Sequence, residues 1–390
     1  MKIALTHIRQ AWSGGTEGYL NNLAIYLAER GHQVTIVCRR HQEAPHPSIR
    51  FKVLRPLTLG VAHRVWRFGR DVARHLADRQ YDVVFGLGRT WSQDVLRLGG
   101  GCHLSYLERS RPYTASWAQR YLGSGLLKHA LYRWIERRAL TSDPQQTVIC
   151  NAEMVREDIV ARYGVPRERI VVIGNGVDLQ RFHPDLRKTE GKHLRHSCGF
   201  GEDETVLLFL GSGYKRKGLD LLLGAMPAVV RSHPGVRLLV VGFDRQVVAF
   251  QRMAQQLGIA EQVVFLGGRR DVPACYAASD LYILPTRYDP FANSTLEAMA
   301  AGLPVITTPD NGGSQVIVNG VNGSTIPAAE DALGLAIQGW MAPSDRKAAG
   351  REARLKAEHN SVDAKLAETL ALLEAAVDRR HADGEDGGRW

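Results

Sequence analysis

Short, nearly unbroken apolar runs alternate along this chain with stretches whose apolar residues recur every three or four positions. Residues 2–8, KIALTHI, read as a strand, followed by RQAWSGGTEG as a glycine loop, YLNNLAIYLAERG as a helix and HQVTIVC as a second strand. The same order returns from Thr205, with TVLLFLG, the loop SGYKRKG, the helix LDLLLGAMPAVVRSHP and the strand VRLLVVG. Strands this apolar are buried on both faces, so the pattern predicts parallel sheets covered by helices and joined by right-handed crossovers. Two doubly wound halves follow. Ligands of such sheets lie beyond the carboxyl ends of the strands, so two halves facing across a cleft put the chemistry in their loops.

The polar, aperiodic stretch LRKTEGKHLRHSCGFGEDE before Thr205 sets the expected division. One Rossmann-like domain covers 1–180, a linker 181–204 and a second Rossmann-like domain 205–355. SVDAKLAETLALLEAAV carries Leu366, Leu370 and Leu373 on one stripe. It predicts a C-terminal helix over 356–378 that packs back toward the N-terminal domain, with 379–390 as a frayed tail.

A chain of 390 residues fits two cores rather than one. Its 44% hydrophobic and 23% charged residues are ordinary for a globular protein, and no apolar run approaches the ~18 residues of a membrane span. MKIALTHIRQ lacks the apolar region and cleavage site of a signal peptide, so a cytoplasmic location is expected, with any membrane contact peripheral at the inner face of the cytoplasmic membrane. Cys38, Cys102, Cys150, Cys198 and Cys275 are scattered singly and read as reduced thiols. The net charge of +10 suits an anionic partner, whether nucleotide, nucleic acid or acidic membrane.

Three loops carry candidate chemistry. Residues 211–218, GSGYKRKG, lie between a strand and a helix, where backbone N–H groups and the helix dipole favour phosphate. Leu219 and Asp220 follow where a P-loop would need Lys and then Ser or Thr, and the spacing is not GxGxxG, which counts against ATPase and nicotinamide readings. Lys215, Arg216 and Lys217 at the strand exit suit a diphosphate, and a solvated basic turn is the competing reading. In SGGTEG, Ser13 to Gly18, two successive residues without a Cβ let the backbone approach a ligand, although a tight turn accounts for them equally. The third loop, TRYDPFANSTLEAMAAGLPVITTP over 286–309, brings the carboxylates Asp289 and Glu297 to a loop turning into a helix. STLE reads as a capping box, Ser294 capping the helix and Glu297 reaching back. The helix start aims the N–H groups of Asn293, Ser294 and Thr295 at an anion held beside Arg216 and Lys217. A sugar nucleotide needs both properties, since it joins a diphosphate to polyols.

Asp289 to Glu297 resembles the acid-x7-Glu motif of retaining glycosyltransferase family 4, in which the first acid is more often Glu. SGGTEGY, NAEMV at Asn151, NGVDLQRFHP at Asn175, LGSGYKRKGLD and FLGGRRDVPACYAASDLYILPT are similar to the same family. The resemblance implies an α/β GT-B fold, two Rossmann-like doubly wound parallel-sheet domains facing across a cleft, the first binding the acceptor and the second the nucleotide sugar. Within the family, GSGYKRKG and GRRDV are most similar to the bacterial lipopolysaccharide core glucosyltransferases, which implies UDP-glucose as donor and an inner-core heptose as acceptor. A family 4 transferase using another nucleotide sugar on a lipid-linked or capsular glycan stays open.

Carried over, Arg216 and Lys217 would neutralise the diphosphate, and Gly15 would let the N-terminal loop close on it. Glu297 would accept the ribose hydroxyls, Asp289 the 3- and 4-hydroxyls of the sugar, and the backbone from Arg269 to Val272 the uracil edge. Phe291, Ala292, Asn293, Ser294 and Thr295 would complete the donor site. His103, after GGGC, matches a histidine that contacts the donor sugar, with a structural turn residue as the competing reading. The implied mechanism uses no enzyme nucleophile, no cofactor and no metal, since neither an Asp-x-Asp pair nor a His-Glu cluster stands in a suitable place.

For the acceptor, residues 103–138 hold Arg109, Arg111, Arg120, Lys128, Arg133, Arg137 and Arg138 against Glu108 and Glu136, interleaved with Tyr106, Tyr113, Trp117, Tyr121, Tyr132 and Trp134. This suits docking on anionic lipid, a phosphorylated core oligosaccharide, or a solvated helix. A nucleic-acid-binding module is a distant alternative: the basic residues coincide with sugar-nucleotide positions and no such motif is present, so no nucleic-acid partner is expected.

Overall fold

The computed structural model of the chain describes all residues except Ser13, Pro56, Arg79, 110–124 and 383–390, and the side chains of 125–127 are likewise not described. Two compact units emerge. The N-terminal unit holds most described residues up to Gly174 together with the helix from Val362, and the C-terminal unit holds Asn175–Ser361.

The N-terminal sheet contains β1 (Lys2–Thr6), β2 (Gln33–Cys38), β3 (Arg50–Val53), β4 (Val83–Gly86), β5 (Val95–Leu98), β6 (Thr147–Cys150) and β7 (Ile170–Val172). Its order is β3-β2-β1-β4-β5-β6-β7, with every pair parallel. Successive strand residues face opposite sides. Ile3 and Leu5 accordingly pack with Leu20, Leu23 and Leu27 of the helix Gly15–Glu29, while Ala4 packs with Phe68, Val72 and Leu76 of the helix Gly60–Leu76. Leu366, Leu373, Ala376 and Val377 of the last helix, Val362–Ala382, join the first of these clusters. The sequence pattern placed this helix over 356–378. In the structure 356–358 end a separate helix, Pro343–Glu358, and His359, Asn360 and Ser361 interrupt the run before the last helix begins. Helix continues through Ala382, into the stretch read as tail, and 383–390 lie outside the described residues.

The C-terminal sheet contains β8 (Thr205–Leu210), β9 (Val236–Val241), β10 (Val263–Gly267), β11 (Leu281–Leu284), β12 (Val305–Thr307) and β13 (Gly323–Thr325). Its order is β10-β9-β8-β11-β12-β13, again parallel throughout. Val206 to Phe209 and Leu281 to Leu284 are completely buried, as continuous apolar strands require.

Residues 181–204, expected as a linker, are instead folded into this unit. They form a turn of helix at Pro184–Lys188 and the helix Glu190–Ser197. Gly191 lies so close to the Ala277 carbonyl that a Cβ would collide with it, Leu194 is buried, and Arg195 donates to the Ala278 carbonyl at 3.0 Å. A helix of eight residues with two buried positions is too short to show a hydrophobic period, so its polar majority reads as loop. Among the described residues no helix is long and apolar enough to cross a membrane.

Candidate functional site

The C-terminal strand order reverses between β8 and β11, and the loops leaving the two strands at such a reversal form the usual ligand crevice of a doubly wound sheet. Beyond β8 the chain passes through Gly211, Ser212 and Gly213 into a single helical turn, Tyr214–Lys217, and through Gly218 into the helix Leu219–Ser232. Gly218 has φ 81°, and a Cβ there would collide with the Pro285 carbonyl. The basic turn therefore lies directly against the loop leaving β11. Tyr214 anchors the turn: its ring is buried, its hydroxyl donates to the Gly242 carbonyl at 2.9 Å, and its N–H donates to Asp244 Oδ2 at 2.7 Å.

The three basic side chains of the turn diverge. Lys215 pairs with Asp220 at 2.5 Å. Arg216 Nη1 donates to the Tyr288 carbonyl at 2.8 Å and to Asp289 Oδ2 at 3.3 Å, and the buried Lys217 Nζ donates to the same Oδ2. Asp289 Oδ1 accepts from the Phe291 N–H at 3.1 Å. Burial alone would raise the Asp289 carboxyl, but the charges and hydrogen bonds of Lys217 and Arg216 outweigh it and hold the group below the ordinary carboxylate range. Burial is also the largest influence on Lys217 and lowers its amine against the pull of Asp289. One carboxylate thus faces two cations at the switch point, an arrangement with room in its charge balance for an incoming anion.

Two supporting features were not singled out from the sequence. Arg287 forks onto Asp220, at 2.7 and 2.8 Å, and its N–H donates to the Arg216 carbonyl at 2.9 Å, so the fork ties the basic turn to the β11 loop. Asn311 is completely buried. Its Nδ2 donates to Thr295 Oγ1 and Thr307 Oγ1 at 2.9 and 3.0 Å, while its Oδ1 accepts from the N–H groups of Ala292 and Gly313 at 3.2 and 2.9 Å. The only sequence signals were Asp220 just after RKG and Asn311 in DNGG.

The helix Asn293–Ala300 carries the second half of the acidic motif. No capping box forms: Ala292 is the N-cap and no side chain caps the helix. Ser294 Oγ instead accepts from the Tyr282 hydroxyl at 2.6 Å, and Glu297 Oε2 accepts from the Tyr276 hydroxyl at 2.8 Å. Both tyrosines are buried, and buried hydroxyls recruit the acceptors within reach. Burial raises the Glu297 carboxyl above its ordinary value, opposed by the Tyr276 hydrogen bond and the charge of Arg181. Asn293 Oδ1 accepts from Asn175 Nδ2 at 2.6 Å, and Phe291 and Ala292, just before the helix, are buried. Arg269 forks onto Asp271 at 2.9 and 2.5 Å, and Val272 opens the short helix Val272–Ala277 that delivers Tyr276 to Glu297.

Gly15 and His103 belong to the N-terminal unit. Gly15 opens its helix, and a Cβ there would meet nothing within 4 Å; next to it Gly14 has φ 113° and lies under the Glu17 carboxylate, which Arg9 Nη2 holds at 2.6 Å. His103 begins the helix His103–Arg109 and lines a cavity of about 540 Å³ with Thr6, Arg89, Thr90, Lys128 and His129. Its N–H donates to Glu136 at 3.0 Å and its Nε2 lies 3.0 Å from His129 Nδ1. Burial, then His129 and the charges of Arg89, Lys128 and Arg133, push its pKa down to about 4, so it is a neutral imidazole among cations.

The basic and aromatic stretch divides. Tyr132 is buried, whereas Trp134 is exposed, packs edge-on against Trp91 at 5.7 Å and lies under Arg138. Ser13, Arg111, Tyr113, Trp117, Arg120 and Tyr121 lie outside the described residues.

Residues 13–181 match the family model described as Glycosyltransferase Family 4, and residues 192–356 match Glycosyl transferases group 1. The chain is 32% identical over 178 residues to an uncharacterized glycosyltransferase, MJ1607, of Methanocaldococcus jannaschii, a match over 45% of either chain. It is 26% identical over 315 residues to the lipopolysaccharide glucosyltransferase WaaG of Escherichia coli, covering 80% of this chain and 82% of WaaG. The crystal structure of a WaaG superposes with a TM-score of 0.77 at 22% identity, over 95% of this chain and 99% of that one. Anabaena Alr3699/HepE, solved in complex with UDP-glucose, superposes at 0.70 and 22% identity, over 96% and 100%.

Proposed function

A chain in which a family 4 glycosyltransferase domain precedes a group 1 domain on a GT-B fold is a glycosyltransferase, and we propose that this one transfers glucose from UDP-glucose to an inner-core heptose of lipopolysaccharide with retention of configuration. The observation that carries the reading is the cluster of Arg216, Lys217 and Asp289 at the reversal of the C-terminal sheet. Likeness to WaaG, and to a HepE solved with UDP-glucose, supports this donor and acceptor.

In this reading the bond from the anomeric carbon to the β-phosphate oxygen breaks while the acceptor oxygen bonds to that carbon on the same face. The acceptor proton passes to the departing phosphate. Arg216 and Lys217 offset the charge that builds on the leaving oxygen, a role worth several kcal/mol in a water-poor site. Asp289 stays ionised beside them and accepts hydroxyls of the sugar, and Glu297 uses Oε1 for the ribose. The chemistry is orientation plus charge, unlike a retaining glycosidase, whose carboxylate attacks the sugar. The transfer needs no metal or cofactor, and turnover undiminished by EDTA is the expected result. The N-terminal cavity around the neutral His103 receives the acceptor. The exposed Arg133, Trp134, Arg137 and Arg138 face anionic lipid at the inner leaflet, which co-sedimentation with anionic but not neutral liposomes would show.

The deciding experiment measures binding and slow hydrolysis of UDP-, GDP- and ADP-hexoses by the wild type, Asp289→Ala and Glu297→Ala. Selective use of UDP-glucose, lost in both variants, upholds the reading. Preference for another nucleotide sugar moves the assignment to a family 4 transferase of a different glycan.

A further inference from the structure

The amino ends of the C-terminal strands, opposite the loops that carry the acidic motif, border a groove of about 660 Å³. Its position follows from the chain: Asp280 directly precedes β11, Leu303 leads into β12, and Arg346 reaches Thr205 at the start of β8. The helix Pro343–Glu358 forms one wall. That helix packs through small residues, with Gly350 so close to the Gly302 carbonyl that a Cβ would collide, and its flank with Lys347, Arg351, Arg354 and Leu355 borders the groove.

The charges in the groove do not balance. Its lining holds Arg187, Arg346, Lys347, Arg351 and Arg354 against a single acid, Asp280. Asp280 is already shared by Arg187 at 2.5 Å and Arg195 at 3.2 Å. Arg346 is spent on the carbonyls of Trp340 and Met341, and Arg354 on those of Phe182 and Ala300 and on the Glu358 carboxylate at 2.9 Å. Lys347 and Arg351, one helical turn apart and exposed, have no ion pair or hydrogen bond among the described residues. Like charges at that spacing repel, and an anion between them would offset that repulsion. Between the cations the floor is apolar, from Pro184, Leu303, Pro343 and Leu355.

We propose that this groove is a second anion site, remote from the sugar-transfer chemistry, that binds a phosphate ester with an apolar body, the phosphate between Lys347 and Arg351 and the body over Leu303 and Leu355. A soluble metabolite and a lipid headgroup share that chemistry. Hexyl phosphate is the probe, titrated calorimetrically into the full chain with and without saturating UDP. Binding that persists in UDP, weakens about tenfold or more in Lys347→Gln/Arg351→Gln, and leaves UDP affinity unchanged in that variant is the expected result. Leu355→Asp, also on the exposed rim, should lose hexyl phosphate while keeping inorganic phosphate. Competition by UDP, or undiminished binding in the double variant, overturns the proposal whatever the donor sugar proves to be. With the site upheld, co-sedimentation with phosphatidylglycerol vesicles that the double variant loses assigns the phosphate to a lipid. Intact hexyl phosphate binding without co-sedimentation assigns it to a soluble ester.

Discussion

Asp289 is a partly buried carboxylate between two cations, and each of its partners has a separable effect. Lys217→Ala leaves the acid with Arg216 alone, so the expected loss of stability is about 2–3 kcal/mol, below the ~3–5 kcal/mol of a fully stranded buried charge. The loss in turnover is larger in kind, ~10²–10³ in kcat, because in the proposed mechanism the missing charge faces the leaving group. Combining Lys217→Met with Asp289→Asn should restore urea stability without restoring turnover; recovery of both would contradict the leaving-group role. The two acids of the motif also respond oppositely to pH. Asp289 has a depressed pKa, so its contribution to stability is present above the unfolded value of ~3.9 and is lost as pH falls toward the folded one. Glu297 has a raised pKa, so its protonated form favours folding below ~4.3 and that contribution is lost as pH rises through the folded value. Glu297→Gln should therefore flatten the fall in Tm as pH rises out of the acid range, and an unchanged Tm profile would refute its raised pKa.

At the level of elements, the site depends on a one-turn helix pressed against a loop. Gly218→Ala must relieve both the positive φ and the collision with the Pro285 carbonyl, at a cost of about 1–3 kcal/mol if the turn shifts rather than unfolds. Arg287→Ala removes the fork onto Asp220 while touching no predicted substrate contact, so its kcat should fall as Arg216 and Lys217 lose their fixed positions; lysine, a point charge, should rescue only part of it. The strands, the basic turn and the acidic motif were legible because each is written in neighbouring residues. Asp220 and Arg287 are 67 positions apart and meet only because β8 and β11 are neighbours in the sheet. The capping box failed for the same kind of reason: STLE has the right local spelling, but Tyr276 and Tyr282, brought beneath it by folding, claim its two acceptors.

Across the whole molecule, the last helix is a structural member of the first unit. Leu366, Leu373 and Val377 together contribute roughly 4–9 kcal/mol at ~1.5–3 kcal/mol per buried side chain, comparable with the ~5–15 kcal/mol that stabilises an entire domain. A chain ending at Ser361 should lose protease resistance in its N-terminal half while the segment 175–361 survives; equal resistance of both halves would deny the helix this role. The leucine stripe announced an amphipathic helix, expected to pack back toward the N-terminal domain, but the residues it meets there, Leu20, Leu27 and Phe85 among them, follow from tertiary contacts that no local pattern encodes.

That connectivity also sets an order on the ribosome. The first sheet is synthesised early, yet Leu20, Leu27 and Phe85 wait for a helix that follows the entire second unit in the chain. Translation at ~5–20 residues per second makes that interval on the order of 10–40 s, the time in which the second unit is made. The nascent protein thus carries an open apolar face through most of its synthesis, and chaperone demand should fall on its first half.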